Sequence, residues 1–174
     1  EVDLEPLGTE DARELVANLL EVDDLPIRVR SRILEKAEGN PFFVEEVIRT
    51  LLDTGLVVRR DGHWHATQEI EQIDVPDTLN GVLTARLDAL EDSAKRVLQI
   101  AAVVGREFDD AQVAAVVGDP DLLEGALLEL QRRELIREKS RQTHRMFIFK
   151  HAMTQESAYE SVLRGDRRKM HKSI

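Results

Sequence analysis

"AEGNPFFVEE", residues 37–46, sets a Gly, an Asn and a Pro in a row between two helical patterns. Gly39 suits the left-handed backbone that closes a helix C-terminus. Asn40 is a good N-cap, and Pro41 fits the first helical position, where its missing N–H would be unpaired in any case. The stretch therefore reads as a tight corner between two helices. The helix before it starts near Pro26 and carries Ile27, Ile33, Leu34 and Ala37. The helix after it carries Phe43, Val47 and Leu51 beside Val44, Ile48 and Leu52, a wide apolar face at helical spacing. As geometry, such a corner needs no ligand.

Upstream, Thr9 can cap a helix with Glu10 and Asp11 in its first turn and Leu15, Val16, Leu19 and Leu20 on its apolar side. Downstream, Gly55 stops the pattern. "LVVRRDGHWHA" follows, with Asp61-Gly62 between two short strand-like runs, a strong hairpin signal. Residues 67–76, "TQEIEQIDVP", lack periodicity and end in a proline, so they read as a linker. This divides the chain into a helical subdomain with a terminal hairpin over residues 1–66, the linker, and a second module over residues 77–174.

The second module opens with a helix containing Leu79, Val82, Leu83, Leu87 and Leu90, then one from Ser93 that ends at Gly105. A short helix from about Asp109 to Val117 stops at Gly118. Asp119 caps the next, with Pro120 in its first turn. "LIREKS" and "RMFIFKH" are joined by the polar "RQT", and a last helix spans roughly 152–163. Short helices followed by a two-stranded hairpin describe a winged helix. The expected fold class is mainly α, a helical subdomain followed by a winged helix with short β-hairpins.

Composition narrows the function. Of 174 residues, 42% are hydrophobic and only 4% aromatic, so the core must be aliphatic. The absence of cysteine excludes disulfides and thiolate metal sites and fits a reducing cytoplasm. No apolar run approaches the roughly 20 residues of a membrane span, and the acidic start lacks the features of a signal peptide. The chain opens on "EVDLEPL" without Met and stops inside a helical pattern, which suggests a piece of a larger protein. Charge is split: residues 1–130 hold 12 Lys and Arg against 29 Asp and Glu, while residues 131–174 hold 12 against 5. Such a split can mark a nucleic-acid surface, docking by charge, or a mixed solvated surface.

Catalytic motifs are missing. There is no phosphate-cradling G-x-x-x-x-G-K-[ST], no H-E-x-x-H and no G-x-S-x-G. His63 and His65 share one strand face, a half-site for a metal with no third ligand nearby in sequence. Glu45 and Glu46 point about a quarter-turn apart and read as surface charges near a helix start. The residues do not describe an enzyme, and no metal is expected.

Three stretches in order, "AEGNPFFVEEVIRTLLDTGLVV", "VPDTLNGVLTARLDALEDSAKRVLQIAAVVGREF" and "FIFKHAMTQESAYESVL", resemble the region after the nucleotide-binding core of bacterial STAND signalling ATPases. These AAA-like P-loop regulators are fused to class III adenylate/guanylate cyclase or LuxR-type DNA-binding domains and are often followed by TPR helices. The resemblance implies a non-catalytic lid and winged helix that close over ADP or ATP held by an upstream P-loop core and relay the nucleotide state to an output domain. It implies that Gly39, Asn40 and Pro41 match the lid's G-x-P motif, which packs against adenine. The proline ring there offers a flat apolar edge, and free N–H groups beside it can meet ring nitrogens. It also implies a phosphate-contacting role for His151, which matches the His of a Met-His-Asp motif in related plant and animal proteins. Lys150 and Ala152 stand where that motif has Met and Asp, and capping a strand end or helix start is the plainer role for His151. The implied partners are the P-loop core and TPR-like helices of the same parent chain, with a separate protein partner as an interaction-scaffold alternative.

DNA binding is the other reading a winged helix raises. Its recognition helix, "DLLEGALLELQRREL", exposes Asp121, Glu124, Glu129 and Glu134, with only Arg132 and Arg133 near its end. Acid facing a phosphate backbone is repelled, which disfavours major-groove docking. Lys139, Arg141 and Arg145, and the tail Arg167, Arg168 and Lys169, remain as basic wing and tail.

Overall fold

Val29, Ile33 and Ala37 recur every four residues and form the buried side of the first helix to be considered, α1 (Ile27–Ala37). The computed structural model describes residues 6–8, 10, 11, 14, 15, 18, 25–141 and 144–173. The helix expected from Thr9 lies largely outside these. Ile27 does not join the core. It is 81% exposed, because at 100° per residue it points about a third of a turn away from the middle of the Val29–Ile33–Ala37 stripe.

After the corner, α2 (Pro41–Asp53) buries Phe43, Val44, Val47, Ile48 and Leu51. Strands β1 (Val57–Arg60) and β2 (His63–Ala66) pair antiparallel, with Val57 opposite Ala66 and Arg60 opposite His63. Asp61 and Gly62 between them both have positive φ, 51° and 87°, the mark of the primed turn whose twist matches a two-residue hairpin.

The expected linker is folded. Residues Gln68–Gln72 form a 3-10 helix, and Ile70 and Val75 are 1% exposed in the same core as α1 and α2. Two cations of α1 hold the strand-like end of this segment. Arg32 Nη1 donates to the Ile73 carbonyl at 2.9 Å, and Lys36 Nζ donates to the Val75 carbonyl and pairs with Asp77 at 2.8 Å. A segment with no periodicity can thus still carry two core residues. The chain divides into two compact units, Glu1–Val82 and Leu83–Ile174, with the division inside α3 (Leu79–Asp88) and not at 67–76.

The second unit runs α4 (Asp92–Val104), β3 (Glu107–Asp109), α5 (Asp110–Val117), α6 (Pro120–Arg132), β4 (Ile136–Arg141), β5 (Arg145–Phe149), α7 (Ala152–Glu160) and α8 (Arg164–Ser173). The three strands form an antiparallel sheet in the order β3-β5-β4, with a register shift between Glu138 and Ser140. Helix, strand, two helices, then two strands with the first strand beside the last is the connectivity of a winged helix. The fold is mainly α with small antiparallel sheets. β3 is too short to show a period in sequence. Its Phe108 lies opposite Phe147 and stacks on it at 5.6 Å.

α4 is the central helix, with Ala94, Val97, Leu98, Ile100 and Ala101 all at 1% exposure or less. It packs with Leu123, Leu127 and Leu130 of α6 in one core. The expected last helix, 152–163, is shorter, α7 ending at Glu160, and a further helix, α8, forms in the basic tail. Ser161 is the C-cap of α7, and its hydroxyl donates back to the Ala158 carbonyl at 2.7 Å.

Candidate functional site

The corner is built from local rules. Glu38 and Gly39 are both left-handed, at φ 48° and 78°, so the chain leaves α1 sharply. The Gly39 carbonyl accepts the Leu7 N–H at 2.8 Å. A Cβ on Gly39 would lie 2.5 Å from the Leu7 carbonyl oxygen and 3.0 Å from Pro6 Cβ, so only glycine fits beneath this segment. Asn40 N–H donates to the Ala37 carbonyl at 2.8 Å, and Asn40 Oδ1 accepts from the N–H groups of Phe42 at 3.0 Å and Phe43 at 3.3 Å. The expectation of free N–H groups beside Pro41 is therefore corrected. Proline has none, and the next two are taken by the cap. What the corner presents is the exposed Pro41 ring, with Phe42 half-buried next to it.

His151 belongs to the second unit. It occupies the N-cap position of α7 with extended backbone, φ −127° and ψ 143°, but its side chain makes no capping bond to that helix. The imidazole is half-buried and its Nε2 is shielded from solvent. The neighbouring Lys150, which stands in the Met position of the related motif, pairs with Glu134 at 2.6 Å. Gly39, Asn40 and Pro41 thus come together at one turn, and His151 stands in a separate unit.

The wing is less basic in space than in sequence. Arg145 donates from Nη1 and Nη2 to the two Glu124 oxygens, at 3.0 and 2.5 Å, and from Nε to Asp110 at 2.8 Å. Its guanidinium also lies 5.6 Å from the Phe147 ring. Glu124 first, then Asp110, hold this guanidinium still more firmly protonated than an ordinary arginine. Lys139 pairs with Glu107 at 2.7 Å and Arg133 with Glu129 at 3.0 Å. Two of the three wing cations singled out above are therefore neutralised within their own unit, and the side chain of Arg141 is not described. α6 exposes Asp121, Leu122, Glu124 and Leu128, an acidic and apolar surface.

Arg86 escaped the sequence reading. It is 3% exposed, and its Nη2 donates to the Arg133 carbonyl at 2.6 Å, just past the C-terminus of α6, where a cation is favoured by the helix dipole. The signal was present: Arg86 falls four residues after Val82 and three after Leu83, on the apolar stripe itself. His65 lines a hollow of about 480 Å³ with Thr67 and Glu69. Among the described residues, no group of three His, Asp or Glu comes together to hold a metal.

Residues 8–65 match the model of a domain of unknown function, DUF8739, from just after the segment that meets Gly39 to the second hairpin strand. The chain is also similar to hybrid signal transduction histidine kinase G of Dictyostelium discoideum, 31% identical over 108 residues. That match covers 60% of this chain and 3% of the relative, so the chain spans a small fraction of the protein it matches.

Proposed function

We propose that the chain is a non-catalytic regulatory part of a STAND-type signalling ATPase. Its helical unit and winged helix would close over ADP or ATP held by an upstream P-loop core and relay the nucleotide state to an output domain. The observation that carries the reading is the corner, where Pro41 projects an exposed ring from a turn rigidly set by Gly39 and the Asn40 cap. With the N–H groups engaged, recognition of adenine rests on apolar contact with the Pro41 ring rather than on donated hydrogen bonds. His151, at the strand-to-helix junction of the second unit, is the proposed phosphate contact. A regulator of this kind responds only through unequal affinity for its two nucleotides. The match to a protein named as a signal transduction kinase agrees with a place in signalling. The proposed partners are the core and TPR-like helices of the parent chain, in the cytoplasm.

The rival reading, a winged-helix DNA-binding module, has the fold order in its favour. The acids exposed on α6 and the ion pairs of Lys139 and Arg145 weigh against it. The deciding experiment is ADP binding by the full-length protein. Pro41→Ala should weaken it roughly tenfold, the worth of one apolar contact of that size, and His151→Ala should weaken it as well. A full-length sequence without a phosphate-binding loop before Glu1, or unchanged ADP affinity in a folded Pro41→Ala variant, overturns the proposal.

A further inference from the structure

On the second unit, α4, α5 and the junction of α7 with α8 enclose an open cleft of about 490 Å³, within the range of ligand-binding pockets. Its floor is aliphatic and thioether, from Ile100, Val116, Val162 and Met170. Leu163 stands at the lip, 75% exposed. The rim carries Arg96 on α4 and, on α8, Asp166 together with Lys169. α8 itself exposes Arg164, Arg168 and Lys172 and carries a single acid, Asp166, which pairs with Lys169 at 3.0 Å.

The uncharged polar groups within the cleft are engaged with each other. Gln99 Nε2 donates to the Ser161 hydroxyl oxygen at 2.9 Å, and that hydroxyl donates to the Ala158 carbonyl. A small polar ligand would find few directed partners. The aliphatic floor and the cations of Arg96 and α8 instead suit a ligand with apolar side chains below and negative charge at the edge.

We infer that this cleft is a docking groove for an acidic amphipathic helix of a partner protein. Leucine-like side chains enter between Ile100, Val116 and Met170, and carboxylates meet Arg96 and the exposed Arg164, Arg168 and Lys172 of α8. Helix-in-groove binding of this kind takes its affinity from the apolar anchors, while charge at the rim selects the partner and speeds encounter. The inference is independent of the nucleotide reading, since it uses neither the Gly39–Pro41 corner nor His151.

The test is fluorescence anisotropy of the 174-residue chain with a labelled helical peptide that has leucines on one face and glutamates on the other. Binding should be saturable and should weaken with added salt. Leu163→Asp, at an exposed position, should leave the circular dichroism unchanged and weaken binding roughly tenfold, as should Arg96→Glu paired with Arg168→Glu. Amide shifts on binding should cluster at Ile100, Val116 and Val162. The inference is overturned if the variants bind as well as the parent chain. It is overturned equally if a peptide with serines for the leucines binds undiminished, since charge alone would then suffice, or if one with lysines for the glutamates does. Tighter binding to duplex DNA or to anionic phospholipid vesicles, lost in the same variants, would assign the surface to a nucleic acid or a membrane instead.

Discussion

A methyl group at position 39 would press on the Leu7 carbonyl oxygen at 2.5 Å, from a backbone held at φ 78°. Both effects fall on the folded state. Gly39→Ala should therefore destabilise the first unit by about 2 kcal/mol, and Asn40→Ala, which frees two helix N–H groups, by about 1 kcal/mol. Urea unfolding followed through Trp64 measures both. Pro41→Ala removes neither a cap nor a close contact, so its effect on stability should stay below about 1 kcal/mol. That contrast lets a loss of ligand affinity at Pro41 be separated from a loss of folding. The Gly-Asn-Pro order was legible because its meaning is local: each residue type suits one backbone position whatever lies around it. The occupancy of the neighbouring N–H groups was not read correctly, although the same cap implied it. The contact of Leu7 with Gly39 was not legible at all, because it joins residues 32 apart in the chain.

Among the elements, the long amphipathic helices were readable from their period, and the short strand β3 was not. Three residues cannot show alternation, and Phe108 gains its importance only from partners contributed by β5. It stacks on Phe147 at 5.6 Å and lies 5.7 Å from Phe149. Phe108→Ala should cost about 3–5 kcal/mol, read from thermal unfolding of the second unit. The segment after β2 is the converse case, a stretch that looked like linker and is a strap. Lys36 hydrogen-bonds Asp77 and attracts it by charge, which lowers the pKa of that exposed carboxyl. A carboxylate whose folded pKa is depressed stabilises the fold above its unfolded value, about 3.9, and loses that contribution as pH falls through the folded value. An NMR titration should find Asp77 below the ordinary carboxylate range, and Lys36→Met should return it there. An unshifted Asp77 in the parent chain would show that the latch does not form in solution.

At the scale of the whole molecule, the two units each bury a continuous stretch of chain, and residues 67–76 belong wholly to the first. Hydrogen exchange should accordingly find the amides of Thr67, Ile70 and Ile73 protected, since each donates to a carbonyl within that unit. Rapid exchange there, matching the Asp61-Gly62 turn, would restore the linker. Charge was legible in sequence as a total and not as a distribution. The excess of positive charge after residue 130 includes Arg133, Lys139, Arg145 and Lys150, all held by acids of the same unit. The exposed remainder is concentrated on α8. The scarcity of aromatic residues, first noted as a constraint on the core, has one more effect. The chain has a single Trp and a single Tyr. Trp64 packs against the first core with Arg59 5.8 Å from its ring, and Tyr159 packs against the second with Arg167 4.7 Å away. Each unit therefore carries its own aromatic reporter, and Trp64, excited at the red edge where tyrosine does not absorb, follows the first unit alone in an unlabelled sample.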